Sequence, residues 1–247
     1  ACGVAACVLS ALKQAGLSVG PIELRRALEN SARPIESEPF AQGAGLINAP
    51  AALAYALEHH GKPAQDLPFA LSVPSRGGAR GIYLRDAAEL QGPLTFGVLV
   101  QPLFEHAATR TAAEVEELLS LELQLQLGPT APWVTTPASM VLLSAKERGG
   151  QTFTVRLDPS TLPPGAHFAA VQAVDATDPA RGPLFSLPIT VVIPHAISPP
   201  PPLGALTPAQ LETAGDETAA PPALSFPLTL QGGVPVRRFI SVPESAE

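Results

Sequence analysis

The side chains best able to do chemistry in this sequence are five histidines and two cysteines, and their spacing assembles none of them into a site. His59 and His60 are adjacent at the end of a helical pattern, where neighbours diverge by about 100°, so they do not ligate one metal together. They read as an exposed helix end. His106, His167 and His195 each stand alone, without an Asp or Glu at a spacing that suits a metal or an acid–base pair. The sequence therefore points to no metal and no cofactor. Ser10 lies in an apolar helix without the GxSxG surround of a nucleophile elbow, and Ser75 and Ser144 fall in loop or strand-end contexts, so none is expected to be a nucleophile. Cys2 and Cys7 sit on one helix with side chains about 140° apart, which excludes a disulfide between them. A helix start can activate a thiolate, but cysteines in so apolar a stretch are expected to be inert packing residues. Glu114, Glu116, Glu117 and Glu122 form an acidic cluster that reads as a solvated face rather than a cation site. Gly43 and Gly45 open no helix after a strand, so they suit a sharp turn and not a dinucleotide cradle.

Composition narrows the classes further. A formal charge of −7 and scattered basic residues argue against nucleic acid, whose phosphates need clustered Lys and Arg. No apolar run approaches the roughly 20 residues that span a bilayer, and no signal peptide is visible, so no membrane partner is expected. A β-rich chain without a disulfide framework suits a reducing, cytoplasmic compartment. With 247 residues there is room for one or two domains and a real core. The 29 prolines, the many alanines and the 5% aromatic content are discounted as partly a genomic bias.

The elements fall into two styles. Residues 1–13 are apolar almost throughout and stop at Gly16, which reads as a helix buried on every side. No capping residue precedes it, so the chain is expected to begin partway along a helix. Pro21 opens a short amphipathic helix ending near Ser31. After the 43–45 turn a third helix runs from Ala49 to about Glu58, with Ala52, Leu53, Ala56 and Leu57 on one face. Three such pieces are too few to close a core. From Leu67 the period changes to two, with strand-like runs at 69–73, 81–85, 94–104, 118–127, 140–143, 152–157, 167–173 and 187–193. Eight short strands broken by Gly and Pro predict a β-sandwich of the fibronectin or immunoglobulin kind. The fold class is thus mixed, helices followed by a sandwich. A proline-rich linker at 196–224 leads to strand-like runs at 226–230 and 236–243, the start of a second β domain within 225–247.

Taken in order, the opening ACG, RRALENSA at 25–32, FAQGAGLINAPAALAYAL at 40–57, RGIYLRD at 80–86, GPLFSLPITVVI at 182–193 and VRRFISVPE at 236–244 resemble the tripeptidyl-peptidase II family. These are large subtilisin-type serine exopeptidases. The resemblance spans nearly the whole chain, and RRALENSA followed by QGAGLIN is more specific than any isolated glycine motif. It implies that residues 1–62 are the C-terminal end of an α/β subtilisin-type domain and that 66–195 are the sandwich behind it. It also implies that the catalytic Asp, His and Ser and the oxyanion Asn all lie upstream of Ala1, the serine in a GTSM-type motif a few residues before it. No position of this chain matches one of them. The family releases tripeptides from free N-termini of oligopeptides in the cytosol and self-associates into very large homo-oligomers. Oligopeptides and further copies are therefore the expected partners of the parent enzyme, this part being inactive scaffold.

Two other readings stay open. One is a stand-alone, non-catalytic β-sandwich module for binding or assembly. The other is a secreted subtilase with an appended fibronectin-like domain, which RRALENSA, RGIYLRD and the missing disulfide framework disfavour. If the strands of a peptidase domain normally cover the first helix, residues 1–60 are expected to expose apolar surface without them.

Overall fold

In a computed structural model, the described residues are 2–35, 37–62, 64–86, 88–104, 111–143, 150–194 and Phe239. The linker at 196–224 and the second β start at 225–247 lie outside them, Phe239 excepted.

Four helices come first: α1 (Cys2–Gln14), α2 (Pro21–Asn30), α3 (Pro39–Gln42) and α4 (Ala49–His59). Residues Leu12, Lys13, Gly16 and Leu17 close α1 in a Schellman pattern, with Gly16 N–H donating to Lys13 O at 3.0 Å and Leu17 N–H to Leu12 O at 2.9 Å. The side-chain oxygen of Asn48 caps α4 by accepting from Ala51 N–H at 3.2 Å. Val8 and Leu12, one turn apart on α1, join Ala27 of α2 and Ala52 and Ala56 of α4 in one small core. Its alanines let the helices approach closely but bury little area.

This core corrects two expectations. Only one face of α1 is covered among the described residues, so Cys2, Gly3, Ala6, Cys7 and Leu9 are exposed. The two cysteines are free and solvent-facing and are not packing residues. On α4, Leu57 is 47% exposed. The packed face instead runs through Ala52, Ala56 and His59, with Leu53 partly buried beside it, because α1 and α2 meet the helix from that side.

Between α3 and α4 the chain turns sharply. Gly43 and Gly45 have φ of 59° and 116°, and Arg33 and Leu46 form an isolated antiparallel bridge. A Cβ at Gly45 would sit 2.4 Å from Arg33 O, a backbone atom that cannot step aside. Gly45→Ala therefore combines a left-handed φ with a main-chain clash, at a cost of about 2 kcal/mol. Thermal denaturation gives the total loss, and limited proteolysis shows whether it is concentrated in residues 33–46.

The β region packs two sheets face to face. One has the order β1-β3-β7-β5, formed by β1 (Phe69–Ser72), β3 (Leu94–Pro102), β7 (Gln151–Leu157) and β5 (Val134–Thr135). The other has the order β2-β9-β8-β4-β6, formed by β2 (Ile82–Leu84), β9 (Pro183–Ile193), β8 (Gly165–Asp175), β4 (Glu122–Pro129) and β6 (Ser139–Leu143). Strict alternation makes the sandwich: Phe96, Val98 and Val100 face inward from β3 and Leu123, Leu125 and Leu127 from β4, with exposed residues between them on β4. The pairing is antiparallel except for β2, which lies parallel to β9.

One expected strand was partly misassigned. Residues 118–120, read as the start of a strand, belong to helix α5 (Ala112–Ser120), and the strand begins only at Glu122. The sequence AAEVEELLS supplies strong helix formers, and its Val115, Leu118 and Leu119 recur at helical spacing, so the three- to four-residue period governs up to Ser120. The two-residue β5 was not anticipated at all.

Candidate functional site

The residues singled out for chemistry do not converge. Glu114, Glu116 and Glu117 lie on α5 and Glu122 on β4, so the acidic cluster is divided between a helix and a strand, with Glu116 and Glu122 exposed. Ser10 and Ser75 are exposed, on α1 and on the 3-10 turn Pro74–Arg76. His167 sets its Nε2 2.7 Å from Pro163 O. His106, His195 and Ser144 lie outside the described residues. Among the described residues no group of three or more His, Cys, Asp or Glu could hold a metal.

The exception is the end of α4, and it corrects the reading of an exposed histidine pair. His59 is 3% exposed and packs its ring on Tyr55 at 4.3 Å, while His60 sets its Nδ1 2.8 Å from the buried Glu23 carboxylate of α2. These residues belong to a polar junction between the helices and the turn joining β8 to β9.

Arg26 is the centre of the junction. It is charged, yet only 6% exposed, and its Nη1 donates to Ala64 O and, at 2.5 Å, to Gln65 O. Its Nη2 donates to Leu67 O at 2.6 Å and Leu184 O at 3.2 Å. One planar guanidinium thus ties α2 to the connection between the two units and to β9. The guanidinium also lies 5.8 Å from the centre of the Phe69 ring. Burial, reinforced by the nearby Arg181 cation, brings the Arg26 pKa down to about 10, so it stays charged at neutral pH.

Asn30, one turn further on α2, places Nδ2 3.0 Å from Arg181 O, 3.3 Å from Pro183 O and 3.1 Å from Tyr55 Oη. Tyr55 itself donates to Arg181 O at 2.8 Å. Gly182 makes this approach possible: at φ 80° it presents no side chain, and a Cβ there would lie 3.1 Å from Asn30 Nδ2. Arg181 is 1% exposed and donates from Nη2 to Asp175 Oδ2 at 3.1 Å. Lys62 closes the rim with a 2.6 Å contact to Asp178 Oδ2, which holds that carboxyl below its usual range.

His59 lies beneath this rim, with Nδ1 3.7 Å from Asp178 Oδ2. Burial and the Lys62 cation push its pKa below the usual value, against the opposing pull of Glu58 and Asp178, with Arg181 adding to the depression. As pH falls below about 6.5 the unfolded chain takes up a proton that the folded state resists. Stability is therefore full above that value and declines as pH drops through the depressed folded pKa. His59→Gln removes this component, so its denaturation midpoint should change less than that of the wild type between pH 7.5 and 5. Asp178 acts in a separate window, since its own contribution is lost only as pH falls below about 3.9.

The junction performs the chemistry of holding: buried cationic and amide donors on main-chain carbonyls. The sequence reading missed Arg26, Asn30, Tyr55, Asp178 and Arg181 as a set, because no spacing links residues so far apart in the chain. A signal was present all the same. RRALENSA, the 40–57 stretch and GPLFSLP, three of the segments that carry the family resemblance, contain Arg26, Asn30, Tyr55, Gly182, Pro183 and Leu184.

The profile of the family described as tripeptidyl-peptidase II, first Ig-like domain, matches residues 67–192. Tripeptidyl-peptidase 2 of Arabidopsis thaliana is 33% identical over 252 residues, covering 100% of this chain and 16% of the plant protein. Tripeptidyl-peptidase 2 of Caenorhabditis elegans is 32% identical over 203 residues, covering 80% of this chain and 14% of the nematode protein. A crystal structure of tripeptidyl peptidase 2 superposes with a TM-score of 0.69 at 29% identity, over 79% of this chain and 15% of that one. The chain thus spans only 14–16% of the length of these two curated relatives. With the family profile extending over both sheets of the sandwich, the chain belongs to the tripeptidyl-peptidase II family.

Proposed function

We propose that this chain is the scaffold part of a subtilisin-type serine peptidase that releases tripeptides from the free N-termini of oligopeptides. The observation that carries the reading is similarity to a tripeptidyl-peptidase 2 along 100% of the chain, helices and sandwich together, rather than along the Ig-like domain alone. In this reading residues 1–62 are the C-terminal end of the peptidase domain, 66–195 the sandwich, 196–224 a linker and 225–247 the start of a second β domain. The catalytic Asp, His, Asn and Ser lie upstream of Ala1, and the parent enzyme is a cytoplasmic homo-oligomer. A hydrolytic serine needs a histidine base and oxyanion donors held in fixed geometry, and a scaffold behind it serves that need. No helix among the described residues is long and apolar enough to cross a membrane.

The test uses the full-length parent protein with two fluorogenic tripeptide amides, one with a free N-terminus and one N-acetylated. Hydrolysis of the free form alone, abolished by a fluorophosphonate that labels the serine, is the expected result. Equal hydrolysis of both, or none of either, overturns the reading in favour of a different specificity or a non-catalytic assembly module.

A further inference from the structure

We propose that Arg26 and Asn30 are positioning residues for the peptidase reaction, fixing α1 through α2 and α4 on the Ig-like sandwich. This rests on the reading above, in which the nucleophile lies just ahead of α1.

Three independent features support it. The first is the direction of the Arg26 hydrogen bonds, all of them to main-chain carbonyls of residues 64–67 and of Leu184. A surface ion pair tolerates sliding, whereas a planar donor fork shared among four carbonyls fixes both the position and the tilt of α2. The second is Asn30, which reaches Arg181 O and Pro183 O at the turn and Tyr55 Oη on α4, joining two helices to one loop. A Cβ at 182 would crowd the Asn30 amide at 3.1 Å, and the φ of 80° there disfavours any other residue. The third is the packing of α1, whose buried residues Val8 and Leu12 share a core with Ala27 of α2 and Ala52 and Ala56 of α4. The side-chain connection thus runs from the β8–β9 turn to Asn30 and Tyr55, and from α2 and α4 to α1.

The mechanical consequence follows from the geometry of catalysis. A displacement of about 1 Å at a reacting group can cost on the order of a hundredfold in rate, while peptide binding at a distance is little changed. Loosening the junction should therefore lower kcat and leave KM nearly constant.

The experiment compares Arg26→Lys, Asn30→Asp and Gly182→Ala with wild type in the full-length enzyme, with Arg25→Ala as the control. Arg25 lies on α2 beside Arg26, but its side chain is 70% exposed and pairs with Glu29 on the surface. Active sites are counted by fluorophosphonate labelling, so that kcat is expressed per competent site and an unfolded fraction drops out. The expected result is a fall of tenfold or more in kcat per site for the three junction variants, KM within about twofold of wild type and no change for Arg25→Ala. An unchanged kcat per site, with only fewer labelled sites, would show a merely structural junction and overturn the proposal. If Arg26→Lys yields no labelled enzyme, the isosteric Asn30→Asp decides in the same way. Failure of the wild type itself to label or cleave would instead overturn the functional reading on which the proposal rests.

Discussion

Arg26→Ala should lower the stability of residues 1–247 by about 4 kcal/mol, read as a shift of the urea midpoint. Four carbonyls share the Arg26 guanidinium, and a hydrogen bond to a charged group contributes about 1.5–3 kcal/mol. The contributions do not add in full, because the 64–67 connection can open and offer its carbonyls to water. Leu184 O has less recourse, since Leu184 is a buried residue of β9. Arg26→Lys should recover only part of the loss, as an ammonium places three donors on one nitrogen and cannot span the carbonyl set. A loss below about 1 kcal/mol for Arg26→Ala would mean that the junction is replaceable by water.

The other large effect is expected inside the sandwich. Leu187 is fully buried on β9, opposite Val171 of β8, and β9 also carries β2 on its other edge. Leu187→Ala leaves a cavity that close-packed strands cannot collapse around, at a cost of about 3 kcal/mol. Leu57→Ala, on the exposed side of α4, removes the same side chain from a site 47% open to solvent and should change stability by less than about 0.5 kcal/mol. Urea denaturation followed by the fluorescence of Trp133, the only tryptophan, measures both. Its indole packs against the sandwich core.

The sequence made the sandwich legible because alternation is a local signal: QTFTVRL and LTFGVLV state their inward faces residue by residue. It misled at 118–120, where leucines suit either period and only helix-forming neighbours decide. Gly45 was readable as a turn, but not the reason, which is Arg33 O lying across it. The junction was the least legible part. Arg26 looks like one of two arginines on an amphipathic helix, and nothing local distinguishes it from exposed Arg25. Its role depends on Leu184, 158 positions away, brought close only when the two units dock. His59 failed for the same reason: its burial comes from the fold around α4, not from the helix that carries it. The open face of α1, with Cys2, Ala6, Cys7 and Leu9 exposed, agrees with the expectation that residues 1–60 show apolar surface where no peptidase strands cover them, because an apolar sequence records what a helix could pack against, not which neighbours are there.

Through this junction the helices and the sandwich form one mechanical unit. Equilibrium unfolding of residues 1–247 tests it most directly, with Trp133 fluorescence reporting the sandwich and far-ultraviolet circular dichroism weighted toward the helices. The two transitions should coincide, and Arg26→Ala should separate them with the helical signal lost first. Separate transitions in the wild type, unmoved by Arg26→Ala, would contradict it.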